Sequence, residues 1–385
     1  MHILEAGDPS GPLIVLLHGF PELSYSWRKV MVPLSNAGYR VVAPDQRGYG
    51  RTKSCFAGDS PIQFNDDLSP FRILNLVHDI IALVYALGCT SVLTVVGHDF
   101  GSLVASHCAL IRPDLFKSLV CMSAPYPGPP SLPFNTENQS TPSVHQASPS
   151  VTLDRFLRSL DPPKKHYTAY LSGPDAGKDM HDPPEGLHDF VRAYFHVKSG
   201  DWPVNNPHPL GGVSELTKLP HYYIMPAGSS MPEAIRQDAP SKEEAVLQNL
   251  WLPEEDLDVF VEEFGRNGFQ GGLNWYRAMT DEQLTVDLSL FAGKKIDVPA
   301  MFLGGAKDWG VYQSPGALEK MHLCCTRMRG EDVILVEGTG HWVQQERPEE
   351  VSRHLLHFIE TAKSVRRFRR IPIQGSEAHI SLKED

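Results

Sequence analysis

The sequence has no Cys-x-x-Cys pair, no excess of basic residues and no long hydrophobic run, and each absence closes a class of explanation. Cys55, Cys89, Cys108, Cys121, Cys324 and Cys325 stand mostly within apolar runs, which reads as buried thiols in a reducing compartment rather than a disulfide framework. Thirty-five basic residues against 46 acidic ones give a formal charge of -11. Phosphate recognition needs a basic face, so nucleic acid is excluded as a main partner. No segment approaches the ~18 apolar residues of a membrane span. The opening Met1-His2-Ile3-Leu4-Glu5 has neither the basic nor the apolar part of a secretory signal. The expectation is a soluble cytoplasmic protein, in which the sequon Asn138-Gln139-Ser140 is a chance match. The 17 histidines include no helical His-x-x-x-His pair with a carboxylate partner, so neither metal nor cofactor is expected; His354 and His357 read as one helix face.

At 385 residues the chain exceeds the ~250–300 that one core usually supports, so a core with an inserted subdomain is expected. Short apolar runs without alternation occur at Leu13–Leu17, Arg40–Ala43, Val92–Val96, Ser118–Cys121, Ala300–Leu303 and Val333–Val336. Such runs suit strands buried on both faces of a parallel sheet. Between them, Leu76, Ile80, Leu83, Val84 and Leu87 recur at helical spacing before Gly88, and a second helical stretch, Leu103–Ile111, stops before Pro113. The alternation predicts an α/β fold with a doubly wound, mostly parallel sheet.

Residues 126–290 differ in character. Strand runs vanish, Pro127, Pro129, Pro130 and Pro133 cluster, and a polar stretch from Asn135 to Ser150 reads as a loop. Helical patterns then appear at Thr152–Leu160, Leu187–Val197 and Glu254–Phe264. The predicted organisation is a sheet domain in two segments, 1–125 and 291–362, split by a helical cap domain over 126–290. A polar tail, 363–385, carries Arg366, Arg367, Arg369 and Arg370.

One further absence is the most informative. Gly97-His98-Asp99-Phe100-Gly101 joins a strand run to a helical run, the context in which hydrolases place a nucleophilic serine, but the centre holds Asp99. A carboxylate is already anionic at neutral pH and suits displacement at saturated carbon, leaving an ester on its own side chain. Asp is also a good helix N-cap, yet capping needs no glycine at both -2 and +2.

Three other loops follow strand runs. His18-Gly19-Phe20-Pro21 follows Leu13–Leu17, and there the N–H groups of Phe20 and Phe100 could hold an oxyanion. Gly304-Gly305-Ala306-Lys307-Asp308 follows Ala300–Leu303, and Gly338-Thr339-Gly340-His341-Trp342 follows Val333–Val336. The order of Asp99, Asp308 and His341 is nucleophile, acid, histidine. His18, Pro21, Trp275 and Trp342 are candidate pocket residues.

These segments, with Asp45-Gln46-Arg47-Gly48-Tyr49-Gly50 and Gly271-Gly272-Leu273-Asn274-Trp275-Tyr276-Arg277, resemble the epoxide hydrolases of the α/β-hydrolase fold over most of residues 1–362. The resemblance implies two cap tyrosines that hold the epoxide oxygen. One maps onto Tyr276; the other is one of the pair Tyr222 and Tyr223, with Tyr223 favoured. It also implies that an edge strand preceding Ile3 is missing. The implied reaction turns a small hydrophobic epoxide and water into a vicinal diol through an alkyl ester on Asp99, with His341 and Asp308 activating water. Two alternatives remain open: a haloalkane or haloacid dehalogenase using the same aspartate, although the halide-binding tryptophan usual after the nucleophile is here Phe100, and a non-catalytic ligand-binding protein of this fold.

Overall fold

A computed structural model describes residues 1–53, 61–130, 149–243, 245 and 250–368. Among these, the strands are β1 Ile3–Ala6, β2 Leu13–Leu17, β3 Arg40–Pro44, β4 Thr94–His98, β5 Leu119–Met122, β6 Lys164–His166, β7 Ile224–Pro226, β8 Ala300–Gly305 and β9 Val333–Val336. Seven form one sheet in the order β1-β3-β2-β4-β5-β8-β9. Only β1, at the edge, runs antiparallel to its neighbour; the remaining pairs are parallel. No strand lies beyond β1 among the described residues.

The apolar runs explain the layering. Along β2, Leu13, Val15 and Leu17 enter one core, and Ile14 and Leu16 enter the other, so the strand has no face to offer water. Helices α1 (Arg28–Asn36) and α10 (Pro348–Phe368) close one face through Val30, Leu34, Val351, Leu355 and Ile359. Helices α2 (Ile73–Ala86) and α3 (Phe100–Ile111) close the other through Val77, Ile80, Val84, Val104 and Cys108. This is the α/β-hydrolase arrangement: a mostly parallel sheet with a helical insertion between β5 and β8.

The insertion includes α4 (Pro149–Arg158), α5 (Tyr167–Leu171), α6 (Leu187–Lys198), α7 (Glu254–Asn267) and α8 (Gln270–Thr280), and α9 (Ala317–Cys324) follows β8 in the sheet domain. It is not free of strands, as the sequence suggests: β6 and β7 pair antiparallel, His166 opposite Ile224. Lys164-Lys165-His166 is too short and polar to announce a strand. The Asn135–Ser150 stretch lies outside the described residues up to 148, as does the sequon, and α4 already begins at Pro149. At the other end, α10 extends past Ala362 and carries Arg366 and Arg367 on a helix; Arg369 and Arg370 lie outside the described residues. Cys108, Cys121, Cys324 and Cys325 are buried free thiols, Cys89 is partly buried, and Cys55 is outside the described residues. No helix among the described residues is long and apolar enough to cross a membrane.

Because the strands are parallel, the loops after β2, β4, β8 and β9 leave the sheet on one side. His18, Asp99, Asp308 and His341 are on those loops. Carboxyl ends of parallel strands are where α/β folds gather reacting groups.

Candidate active site

Asp99 stands between β4 and α3 with φ 51° and ψ -119°, a backbone conformation costly for any residue with a Cβ. The chain turns there in so little room that a Cβ on Gly97 would run into the Gly101 carbonyl, and one on Gly101 into the carbonyl of Leu17. The strain lifts the carboxylate out of the sheet, where its side chain keeps 12% exposure in an otherwise buried neighbourhood.

Two groups meet that carboxylate. The main-chain N–H of Phe20 donates to Oδ1 at 3.0 Å. His341 Nε2 lies 3.4 Å from Oδ2, an ion-pair separation without hydrogen-bond alignment. His341 Nδ1–H faces Asp308 at 3.0 Å from Oδ2 and 3.2 Å from Oδ1, and Gly310 N–H holds Asp308 Oδ1 at 2.6 Å. Phe100 opens α3, so its N–H is a first-turn donor without an intrahelical acceptor.

The electrostatics follow from this crowding. Burial raises the Asp99 pKa, but the contact and charge of His341, with Lys198 and His98 behind it, prevail and hold the carboxyl well below its ordinary range. Burial pulls His341 down, yet Asp308 and the contact with Asp99 push it up to about 9 against the opposing charge of Lys198. At neutral pH the resting site is therefore a carboxylate facing an imidazolium. Behind it, His98 Nε2–H donates to the His341 carbonyl at 2.7 Å while its Nδ1 sits 2.5 Å from Glu22. Burial raises Glu22, but His98 holds it low. Glu22 also accepts from Gln344 and Gln345, so the catalytic loop is tied to the turn after β2.

His18 is not a pocket residue. It is fully buried, its Nε2 accepts from the Gln46 N–H at 3.1 Å, and its Nδ1–H donates to the Gly19 carbonyl at 2.9 Å. Burial lowers its pKa, so this neutral tautomer fixes the turn that aims Phe20 N–H at Asp99. Pro21 follows through a cis peptide and is buried in that turn. Trp275 and Trp342 are also inside: their indole N–H groups donate to the carbonyls of Arg47 (2.9 Å) and Phe195 (2.8 Å). They are packed inside and offer no free donor.

Tyr276 comes from α8, whose Gly271 and Gly272 allow the helix to press against Gly48, Tyr49 and Phe20. Its ring packs edge-on to Phe100 (5.2 Å between centroids) and Phe20 (5.5 Å), the two residues flanking the nucleophile. Tyr222 and Tyr223 are both buried, but the Tyr222 hydroxyl donates to Asn205 Oδ1 at 2.8 Å. The Tyr223 ring instead meets Tyr167 at 5.0 Å, and Tyr167 lies 6.1 Å from Tyr276. Burial raises all three of these phenols, and Asp99 raises them further. Sequence reasoning did not find Tyr167, whose hydroxyl donates to Gln313, nor the buried Lys198. No motif marks either. Among the described residues no group of His, Cys, Asp and Glu side chains is arranged to hold a metal ion.

This geometry can be set beside known proteins. Residues 12–157 match the alpha/beta hydrolase fold family. The chain is 33% identical to epoxide hydrolase B of Mycobacterium tuberculosis, over 91% of this chain and 92% of that one. It is 32% identical to epoxide hydrolase 2 of Siraitia grosvenorii, over 94% and 95%. Among solved structures, an epoxide hydrolase from an endophytic Streptomyces superposes with a TM-score of 0.72 at 30% identity, covering 94% of this chain and 92% of that one. Potato (Solanum tuberosum) epoxide hydrolase I superposes at 0.65 with 32% identity, covering 94% and 95%.

Proposed function

The chain belongs to the epoxide hydrolases of the α/β-hydrolase fold, and from that membership we propose how its own residues carry the reaction. The carrying observation is the Asp99 carboxylate with its two oxygens in different hands: Phe20 N–H on Oδ1 and His341 on Oδ2. Oδ2 is the nucleophile. It attacks a ring carbon, the strained C–O bond breaks, and its electron pair moves onto the epoxide oxygen. Tyr223 and Tyr276 donate to that oxygen and one of them delivers the proton, giving a hydroxyalkyl ester on Asp99.

Ester formation removes the negative charge of Asp99, one of the two that make His341 basic, so the imidazole gives up its proton to the tyrosinate left by ring opening and becomes a base only after the ester exists. Neutral His341, oriented by Asp308, takes a proton from water as the water oxygen attacks the Asp99 carbonyl carbon. The oxyanion forms on Oδ1, where the Phe20 and Phe100 N–H groups are worth ~3–4 kcal/mol of stabilisation. Collapse breaks the alkyl ester bond, releases the vicinal diol and leaves one water-derived oxygen on Asp99. The departing alkoxide takes the proton of the water-derived hydroxyl, so Asp99 is again a carboxylate, His341 keeps the proton it took from water, and the tyrosine already holds the one that His341 released.

Tyr223 is favoured over Tyr222 as the second donor because the Tyr222 hydroxyl is already committed to Asn205. The dehalogenase alternative is disfavoured: a departing halide needs indole N–H donors, and those of Trp275 and Trp342 are spent on carbonyls. A substrate of hydrophobic character fits the aromatic surroundings supplied by Phe20, Phe100, Phe190, Phe269 and Tyr167. The test is single turnover in ¹⁸O-labelled water followed by peptide mass analysis. Label in the peptide containing Asp99 is expected; label only in the diol would replace the ester route with direct water attack.

A further inference from the structure

Gly200, just past the end of α6, is buried, and both of its main-chain polar groups are held by charged side chains of the sheet domain. Its N–H donates to Glu346 Oε2 at 2.9 Å, and its carbonyl accepts from Lys307 Nζ at 2.8 Å. Neither side chain stops there. Glu346 Oε2 also accepts from the Gly340 N–H at 2.9 Å and Oε1 from the Trp342 N–H at 3.1 Å, so one carboxylate holds the residues on both sides of His341. Lys307, which precedes Asp308, donates its own N–H to the Thr339 carbonyl at 2.8 Å. The segments meet at backbone distance: a Cβ on Gly200 would strike the Gly338 carbonyl, one on Gly340 the Lys198 carbonyl, and one on Gly305 the Gly340 carbonyl. Burial pushes the Glu346 pKa up to about 7 against the pull of its three N–H donors, so a charge is kept here at a cost that packing alone would not require.

We propose that Glu346 and Lys307 are positioning residues for the hydrolytic half-reaction: gripping the Gly200 peptide from its two ends, they fix the loops of His341 and Asp308 against the insertion and hold the imidazole where it activates water. This rests on the role of base given to His341 above. The rest of that loop is held as well. His341 N–H donates to the Lys198 carbonyl at 2.8 Å, and the His341 carbonyl accepts from His98 Nε2–H at 2.7 Å and from the Ser123 hydroxyl at 2.9 Å. With each N–H from Gly340 to Trp342 engaged, the imidazole meets Asp99 and Asp308 through the torsions of its own side chain alone. Asp99 is placed by other means, the elbow after β4 and the Phe20 N–H, and Tyr276 by the seating of α8 on Gly48 and Tyr49. Loss of the clasp therefore falls on water activation and spares ring opening. Misplacing a reacting group by about 1 Å costs up to ~10²-fold in rate.

The experiment is stopped-flow single turnover on a neutral aryl epoxide with wild type, Lys307→Met, Lys307→Arg, Glu346→Gln and the double variant Glu346→Gln/Lys307→Met. It is run at a pH above the Glu346 value, and ester formation is resolved from ester hydrolysis. Hydrolysis should fall about tenfold in Lys307→Met and about 10²-fold in Glu346→Gln, while ester formation stays within about twofold of wild type, so that the ester accumulates. Lys307→Arg should recover most of the loss. Because both side chains act through one peptide, the double variant should hydrolyse the ester no more slowly than about the rate of Glu346→Gln alone. Lys307 is only partly buried, so its two variants decide the matter by themselves if Glu346→Gln does not fold. Unchanged hydrolysis in Lys307→Met would overturn the proposal, and so would equal losses in Lys307→Met and Lys307→Arg. Equal falls in both half-reactions would overturn it too, making the clasp a docking contact of the insertion, as would losses that multiply in the double variant. Absence of any Asp99 ester in wild type would instead overturn the reaction beneath the proposal, and the proposal with it.

Discussion

The main-chain N–H of His341 donates to the Lys198 carbonyl at 2.8 Å, so the loop carrying the base and the last turn of an inserted helix share a backbone hydrogen bond. Glu346 reinforces the join by accepting from Gly200 and Gly340, both at 2.9 Å. The base and the tyrosine-bearing insertion are therefore tied together through the backbone.

Separating the two half-reactions is the direct consequence of giving attack to Asp99 and water activation to His341. His341→Gln should still form the ester but hydrolyse it roughly 10³–10⁴-fold more slowly. Intact-mass measurement after mixing with epoxide should find the protein heavier by one substrate molecule, with the adduct on Asp99. An unmodified protein would count against a nucleophilic Asp99.

The neighbouring phenols should part company. Tyr223→Phe removes a donor to the epoxide oxygen and should lower ester formation by roughly 10²-fold. Tyr222→Phe keeps its ring but leaves Asn205 Oδ1 without its partner, which costs about 1–2 kcal/mol of stability and shows as a lowered melting temperature with a much smaller rate effect. The reverse ranking of rates would exchange the roles of the two tyrosines.

Gly101→Ala tests the elbow by sterics alone. The added Cβ would press on the carbonyls of Leu17 and His18, both in or beside β2, with no flexible side chain to yield. The expected cost is about 3 kcal/mol or more, with activity falling further than stability because Asp99 shifts against Phe20 N–H. Calorimetry beside kcat would find the idea wrong if the variant were as active and as stable as wild type.

Much of this site is legible in the chain because its chemistry is local. Each of Asp99, Asp308 and His341 sits in a glycine-containing loop directly after an apolar strand, and a parallel sheet brings such loops to one end whatever their separation in sequence. The helix holding Tyr276 is hidden by Gly271 and Gly272, poor helix formers retained because α8 must touch Gly48 and Tyr49 at backbone distance. His18 misleads for a related reason: its place beside the nucleophile turn is real, but both ring nitrogens are consumed in holding that turn. Lys198 gives no signal at all, since its ring partners Tyr222, Tyr223 and Trp342 come from segments that only the fold brings together.

The last prediction uses pH and needs the sign of the linkage. His341 has a folded-state pKa raised to about 9 from an ordinary 6.5, so its ion pairing contributes stability that is fully present below about 6.5 and is lost as pH rises through about 9. The melting temperature of wild type should therefore fall by a few degrees between those limits. Asp99→Asn removes one carboxylate facing the imidazole, which lowers the His341 pKa and narrows the window. It also lets burial pull Lys198 further down, and a lysine with a depressed folded pKa gains stability as pH rises. Both changes flatten the descent, so the variant should lose less than wild type over the same range. Scanning calorimetry at matched ionic strength gives the two slopes, and equal slopes would mean that the resting site does not hold a carboxylate against an imidazolium.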